Sequence, residues 1–333
     1  MMRLRALFAA ALALPAFAAA QESAPSLALP LDCDVGRVCV VQNYVDHGGG
    51  APARDYACGL LSYAGHKGTD IRLPDTAAMR HGVAVLAAAP GQVRASRDGM
   101  DDVSVKSIGK DAIAGREAGN TVIVVFGDGW EIQYAHLRKG SVRVAQGDTV
   151  HTGQPLGLVG LSGDTEFPHL HLEVRRYGQA VDPFVGLSRE NDCAAGERPL
   201  WNPAALAALR YVPTGVLGAG FAGAPPQAED GGVDTEHVAA AAADSRALVF
   251  WLHLYGVRAN DREQLRLFGP GGELLVERDA RIARNLAVWL VYAGRPLHAA
   301  RWPAGNYRGE YTLHREGEPN PVVSVVRELE LAP

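Results

Sequence analysis

The chain has 333 residues, of which 47% are hydrophobic and 21% are charged, and its formal net charge is -5. This composition is that of a globular protein long enough for about two domains. Because the chain carries no excess of basic residues, we expect no nucleic-acid partner.

The first twenty residues have the organisation of a secretory signal peptide. Arg3 and Arg5 precede an apolar run over residues 6–17, which is too short to span a bilayer. Small residues follow at positions 18–20, as signal cleavage requires. We therefore expect a periplasmic or secreted protein, and no later apolar run is long enough to predict a membrane span.

Residues 21–62 are expected to form an N-terminal segment that carries disulfides. The four cysteines are even in number and would lie in an oxidising compartment. Their spacing matches no zinc finger, and four cysteines permit three connectivities. We favour pairing Cys33 with Cys39, which is local, and Cys58 with Cys193, which would join the two ends of the following domain.

Residues 63–205 are predicted to form a domain with an antiparallel β core. Strands of β-rich or alternating character are separated by glycine-rich turns, and residues 127–129 have the composition of a hairpin turn. The predicted strands cover residues 83–88, 92–95, 121–126, 130–136, 154–160 and 169–175. A polar insertion over residues 96–119 is expected to be a loop that could form a groove wall.

The remainder of the chain is predicted to hold a second β domain. A short helix is expected over residues 202–210. Residues 214–244 have the Gly, Ala, Pro and acidic composition of a linker, and we place the linker between the two domains at residues 206–244. Residues 245–333 then contain regularly spaced strands, which predict a β-sandwich. Residues 303–309 resemble the tyrosine corner of immunoglobulin-like sandwiches. Trp251, Tyr255, Trp289, Tyr292 and Trp302 could form a sugar-binding platform, although aromatic residues in strands more often belong to the core.

Two histidine clusters predict a catalytic metal site. His169 and His171 lie two residues apart on a predicted strand, so their side chains share one face. His66 and Asp70 add one nitrogen and one oxygen ligand, which are donor types that zinc accepts. Three protein ligands would leave a fourth position open for water, as in catalytic zinc sites.

These motifs resemble the lysostaphin-type, or LytM-type, zinc metallopeptidases that cut peptidoglycan peptides. The resemblance runs from about residue 63 to 184, and it includes the segments around Tyr134–Leu137 and Pro168–Val174. It implies a duplicated hybrid motif fold, a Zn²⁺ ion held by His66, Asp70 and His171, and two catalytic histidines that do not bind metal, His136 and His169. The implied function is hydrolysis of peptide cross-links in peptidoglycan.

Several alternatives stay open at this stage. The sequence does not divide the roles of general base and oxyanion stabiliser between His136 and His169, and it does not choose the bond that is cut. A silent peptidoglycan-binding or amidase-regulating module of the same fold, with a regulatory partner, would be expected to lose metal ligands. A phosphotransfer protein of the related fold would lack the His66 and Asp70 pair. Residues 21–62 could also block the groove.

Overall fold

The computed structural model describes residues 24–49, 52–188, 193–228 and 232–332. The expected signal peptide, residues 1–20, lies outside these ranges and stays a prediction. Within the ranges, strands predominate and helices are short, which confirms the all-β class. In these same segments, no helix has both the length and the apolar character that crossing a membrane demands.

The N-terminal half is built on an antiparallel sheet that carries eight strands. The strands of this half, in chain order, are β1 (Val40–Asn43), β2 (Thr69–Arg72), β3 (Ala84–Leu86), β4 (Gly91–Arg97), β5 (Asn120–Phe126), β6 (Trp130–Leu137), β7 (Thr149–Val150), β8 (Pro155–Leu158), β9 (His169–Arg176) and β10 (Gln179–Ala180). The sheet order is β1-β2-β9-β6-β5-β4-β7, with β10 paired to β9, while β3 and β8 form a separate pair. This order places β2, β9 and β6 side by side at the centre.

The helices of this half lie outside the sheet. They are α1 (Thr76–His81), α2 (Val105–Ile108), a 3-10 helix (Lys110–Ile113) and α3 (Pro203–Ala208). Helix α3 confirms the helix predicted from the sequence, and the Asn202 side chain caps it by accepting the Ala205 N–H at 2.8 Å. Helix α2 and the 3-10 helix lie within residues 96–119, which the sequence predicted as a loop.

The C-terminal half is a β-sandwich, as predicted. Its strands are β11 (Gly215–Ala222), β12 (Ala247–Val257), β13 (Arg262–Phe268), β14 (Leu274–Arg281), β15 (Leu286–Pro296), β16 (Gly305–His314) and β17 (Val323–Leu331). Sheet β11-β12-β15 packs on sheet β14-β13-β16-β17 through buried residues such as Phe250, Leu265 and Tyr311. The Tyr307 hydroxyl donates to the Pro303 carbonyl at 2.8 Å, so the predicted tyrosine corner is present.

Strand β11 lies within residues 206–244, where the sequence predicted a linker. It is rich in glycine because it pairs with β12 and lies against the indole ring of Trp251. A Cβ added at Gly218 would lie 3.1 Å from the Trp251 ring. The small residues that suggested an irregular crossing segment are therefore explained by close packing against Trp251.

Strand β12 is buried on both faces and connects the two halves. Phe250, Leu252 and Leu254 belong to the sandwich core. On the other face, Tyr255 joins the core cluster of the N-terminal half, and Trp251 packs with Val233 in a third cluster that residues 232–241 help to build. Trp251, Tyr255 and Trp302 are thus core residues rather than parts of an exposed sugar-binding platform.

Both predicted disulfides are present. Cys33 pairs with Cys39 across a separation of 6 residues, and Cys58 pairs with Cys193 across a separation of 135. The second bond joins the segment before His66 to the segment after the sheet.

Candidate metal and catalytic site

Strand order and register bring the five predicted site residues together. Asp70 on β2 is directly opposite His171 on β9, and β9 pairs with β6, which ends beside His136. His66 lies in the turn before β2, and His169 is the first residue of β9. His169 and His171 both reach Asp70, so they share a face, as their spacing predicted.

Three donor atoms converge at the centre of this site. His66 Nε2 lies 3.1 Å from Asp70 Oδ1 and 3.2 Å from His171 Nδ1, and the latter two atoms are 2.8 Å apart. Zinc binds nitrogen and oxygen ligands at about 2.0–2.2 Å. Because the circle through these three atoms has a radius smaller than that distance, one ion can contact all three atoms.

A second set of donors lies close by. His136, His169 and His171 also offer nitrogen atoms that all lie within 4.8 Å of one another. This set has no anionic member. The set of His66, Asp70 and His171 supplies a carboxylate whose negative charge attracts a divalent cation, and on this ground we prefer it as the Zn²⁺ site. The assignment of these three residues as metal ligands stays a prediction.

Neighbouring groups orient the three donors. His66 Nδ1 lies 2.7 Å from the Tyr44 carbonyl, which can only accept a hydrogen bond, so Nδ1 carries the proton and the Nε2 lone pair faces the site. Asn43 Nδ2 donates to Asp70 Oδ2 at 2.9 Å, which leaves Oδ1 in the triangle. Since Asn43 and Tyr44 lie in or beside β1, the segment 21–62 supports the site from one side.

The electrostatic environment favours bound positive charge. Burial would raise the pKa of the Asp70 carboxyl, but the facing His66 and His169 hold it well below its usual value. Burial would also lower the pKa of His171, but its hydrogen bond to Asp70 and the nearby Glu173 carboxylate raise that pKa to about 9. The Asp70 carboxylate therefore stays ionised at neutral pH and attracts a cation.

Each of the two predicted catalytic histidines is anchored to a backbone carbonyl. His136 Nδ1 donates to Ser162 O at 2.8 Å, and His169 Nδ1 donates to Phe167 O at 2.9 Å. In the neutral form of each ring, Nε2 then carries a lone pair that is available to the site. The rings are neighbours, with centroids 4.7 Å apart.

The backbone at His136 is in a conformation that few residues other than glycine adopt. Its φ angle is 63°, and the β5–β6 register is irregular at this point. Hydrogen bonds on both sides fix it, since His136 N donates to Ala118 O and Gly160 N donates to His136 O, each at 3.0 Å. Strained backbone conformations of this kind are concentrated at functional sites. Here the conformation of His136 places its ring beside that of His169.

Burial keeps His136 neutral. Burial lowers its pKa well below the usual histidine value, and the neighbouring His169 and His171 lower it further. His136 is therefore a neutral imidazole across the neutral pH range.

A cleft of about 600 Å³ opens onto the site. On the N-terminal side, its lining includes Asp70, His169, Tyr63 and Lys110. Lys110 belongs to the insertion 96–119, which agrees with the groove wall considered from the sequence. Tyr63 stacks on His66 with ring centroids 4.4 Å apart. The sequence pattern gave no role to Tyr44 or Asn43, because their contacts depend on the folded backbone.

Comparison with known proteins identifies the class of this domain. Residues 64–183 match the family model described as Peptidase family M23, which confirms the resemblance seen in the sequence. The DD-carboxypeptidase/endopeptidase Mpg of Neisseria meningitidis serogroup B (strain ATCC 13091 / M2091) is 36% identical over 132 residues, which are 37% of this chain and 28% of that protein.

Two further relatives differ in what their names describe. The murein hydrolase activator EnvC of Escherichia coli (strain K12) is 42% identical over 71 residues, 21% of this chain and 16% of that protein. The solved catalytic domain of lysostaphin from Staphylococcus simulans is 21% identical, with a TM-score of 0.27, over 43% of this chain and 85% of that one. This chain therefore spans less than a third of the length of either curated relative.

Proposed function

We propose that this protein is a zinc-dependent endopeptidase that hydrolyses peptide cross-links of peptidoglycan in the periplasm or outside the cell. The convergence of His66 Nε2, Asp70 Oδ1 and His171 Nδ1 on one point carries the proposal. These three residues would hold the ion. Bound there, Zn²⁺ would act as a Lewis acid and lower the pKa of a water molecule to about 7.

The two remaining histidines can handle the proton of the attacking water. His169 Nε2 lies 3.5 Å from Asp70 Oδ1, so the carboxylate stabilises the imidazolium that forms when His169 accepts a proton. His136 is kept neutral by burial and can accept a hydrogen bond at Nε2, which would orient the water. We therefore assign the general base to His169 and the orienting role to His136.

The similarity to Mpg supports one class of bond. That relative is named as a DD-carboxypeptidase/endopeptidase, which favours cleavage between D-amino acids in the stem peptides. The similarity to EnvC supports a second candidate, a module that regulates a cell-wall hydrolase without cutting peptides itself. The complete donor set favours the enzyme, because a silent module does not need three converging metal ligands.

Metal analysis combined with a cleavage assay tests the proposal. Alanine at His66, Asp70 or His171 should abolish both zinc binding and the release of soluble peptides from purified sacculi. Mass spectrometry of the released peptides measures the cleavage. Exposed His151 provides the matched control, and His151→Ala should keep both. Full zinc occupancy with undiminished cleavage in His171→Ala would refute the ligand assignment. Zinc binding without any cleavage by the wild-type protein would favour the regulatory module.

A further inference from the structure

The C-terminal sandwich contributes a wall to the cleft that opens onto the site. Gly256 and Arg258, at the end of β12 and just beyond it, line the cleft together with Asn285 and Leu286. The cleft volume of about 600 Å³ lies within the range of roughly 300–1,000 Å³ typical of ligand sites. A substrate bound beside Asp70 and His169 would therefore also meet the C-terminal half.

The turn that carries Arg258 is held in place from both sides. A Cβ added at Gly256, whose φ is 68°, would lie 2.1 Å from Pro213 O, so the turn is pressed against the segment that enters β11. The Thr214 hydroxyl donates to Gly256 O at 2.7 Å. These contacts fix the start of the turn against the N-terminal half, where Leu61 is also a neighbour.

A buried ion pair fixes the other end of the turn. Asp261 is 1% exposed and accepts two hydrogen bonds from Arg315, at 2.9 and 2.7 Å. The same carboxylate accepts the Arg258 N–H at 2.8 Å, and Asn285 Oδ1 accepts the Ala259 N–H at 2.9 Å. The Arg258 backbone is therefore preorganised, so that binding a ligand would have to order only its side chain.

The charges of the cleft leave Arg258 available for an anion. Two acidic residues of the lining are already paired with lysines, Asp164 with Lys110 at 3.2 Å and Glu166 with Lys106 at 2.5 Å. Among the described residues, no carboxylate lies within 4.0 Å of the half-buried Arg258 guanidinium. Arg258 lines the cleft, and a planar guanidinium is suited to binding a carboxylate through two parallel hydrogen bonds.

We propose that Arg258 is a substrate-binding residue that pairs with a free carboxylate of the peptide being cut. This inference rests on the proposed function, since it assumes a peptide bound in the cleft. The carboxylate belongs to the substrate peptide, at a position away from the scissile bond. The C-terminal sandwich then contributes to specificity directly, because it supplies this charged contact to the cleft.

Binding measurements test this role separately from catalysis. The probes are a synthetic cross-linked peptide dimer with free carboxylates and the same dimer with its carboxylates converted to amides. Binding is measured by calorimetry on the zinc-loaded full chain in a His136→Ala background, so that turnover is slow. Loss of a charge-assisted pair should weaken binding of the free-acid dimer about tenfold or more in Arg258→Ala, and binding of the amidated dimer hardly at all.

A kinetic comparison and a control arginine complete the test. In the otherwise wild-type protein, Arg258→Ala should raise KM for the free-acid dimer while kcat and zinc content stay near their wild-type values. Arg284→Ala changes an exposed arginine of the β14–β15 connection outside the cleft lining and should leave both constants unchanged. Binding that depends on Arg258 in a protein that does not cut the peptide would uphold this inference and reject the proposed enzyme. Equal binding of both dimers by Arg258→Ala and the wild type, or no binding by either, would overturn it.

Discussion

Backbone carbonyls determine which nitrogen of three site histidines faces the centre. The carbonyls of Tyr44, Ser162 and Phe167 each accept a hydrogen bond from an Nδ1 atom, those of His66, His136 and His169 respectively. Because the main chain fixes the tautomers, replacement of a single side chain beside the site does not reverse them. The chemistry of the site therefore depends on the strands and loops that carry these carbonyls.

Alanine at His136 or His169 should leave zinc bound and reduce the rate. Neither ring belongs to the triangle of His66, Asp70 and His171, and both are placed to handle protons. We expect kcat to fall by roughly 10² to 10⁴, the range for a positioned acid or base. Metal analysis and steady-state kinetics of the two variants check this. If His136→Ala lost its zinc, the second donor set of His136, His169 and His171 would be the metal site.

The lowered pKa of His253 should make the folded protein less stable in mild acid. His253 is buried on β12, where burial and then the charge of Arg72 lower its pKa from 6.5 to about 4. Above pH 6.5 the ring is neutral in both states. As pH falls from 6.5 toward 4, the unfolded chain binds a proton that the folded protein does not, so stability is lost across this window. The full effect is roughly 3 kcal/mol, since one pKa unit corresponds to about 1.36 kcal/mol.

Thermal unfolding at pH 7.5 and pH 5 measures this effect. Tm of the wild type should fall more between the two pH values than Tm of His253→Gln, whose side chain is neutral throughout. His298→Gln changes an exposed histidine and should keep the wild-type difference. An equal fall in Tm for the wild type and His253→Gln would contradict the prediction.

At the scale of strands and connections, the two disulfides should contribute unequally. Cys58–Cys193 spans 135 residues and Cys33–Cys39 spans 6. In the chain-entropy account, closing the longer loop stabilises by at most about 5 kcal/mol and closing the shorter loop by about 2 kcal/mol. Serine at both Cys58 and Cys193 should therefore lower Tm well below that of the variant with serine at Cys33 and Cys39. Similar Tm values for the two variants would show that loop length does not control their contributions.

Strands and turns with a strong local sequence pattern could be predicted from the sequence. Strands that form because of contacts with residues distant in sequence could not. The alternation around His169 and His171 predicted β9, and residues 127–129 predicted the β5–β6 hairpin. Strand β2 was not predicted because its four residues, Thr69–Arg72, include polar side chains that become buried only in the folded protein. Strand β11 was not predicted because its glycines fit the Trp251 ring, a contact distant in sequence.

The same distinction holds for the site. The motif spacing was enough to propose His66, Asp70, His136, His169 and His171, and the structure places all five together. Their supporting contacts, such as Asn43 to Asp70 and Tyr44 to His66, join residues more than 20 positions apart. No local pattern indicates such contacts. The left-handed backbone at His136 was equally hidden, since a histidine gives no signal of positive φ.

At the scale of the whole molecule, contacts across residues 206–244 join the two halves. Tyr255 of β12 is 3% exposed and belongs to the same apolar cluster as Tyr44 and Tyr56. The Tyr211 hydroxyl donates to Asp55 at 2.9 Å. Asp234 bonds Arg80 and Thr76 across the same boundary. We therefore expect a chain ending near Leu209 to expose apolar surface and to lose one wall of the cleft, rather than to fold as an independent unit.

We expect the full chain to unfold in one cooperative transition that reports on both halves. Truncating the buried Tyr255 ring should destabilise by roughly 3–5 kcal/mol, as large aromatic residues in cores do, and it should lower the midpoint for the zinc site and the sandwich together. Differential scanning calorimetry, with zinc release followed in parallel, measures this. Tyr292→Ala removes a ring on β15 that is 44% exposed and should shift Tm little. Two separate transitions, only one of them moved by Tyr255→Ala, would mean that β12 does not couple the halves energetically. In that case the two halves would separate before either one unfolds, and Arg258 would line the cleft only while the halves are in contact.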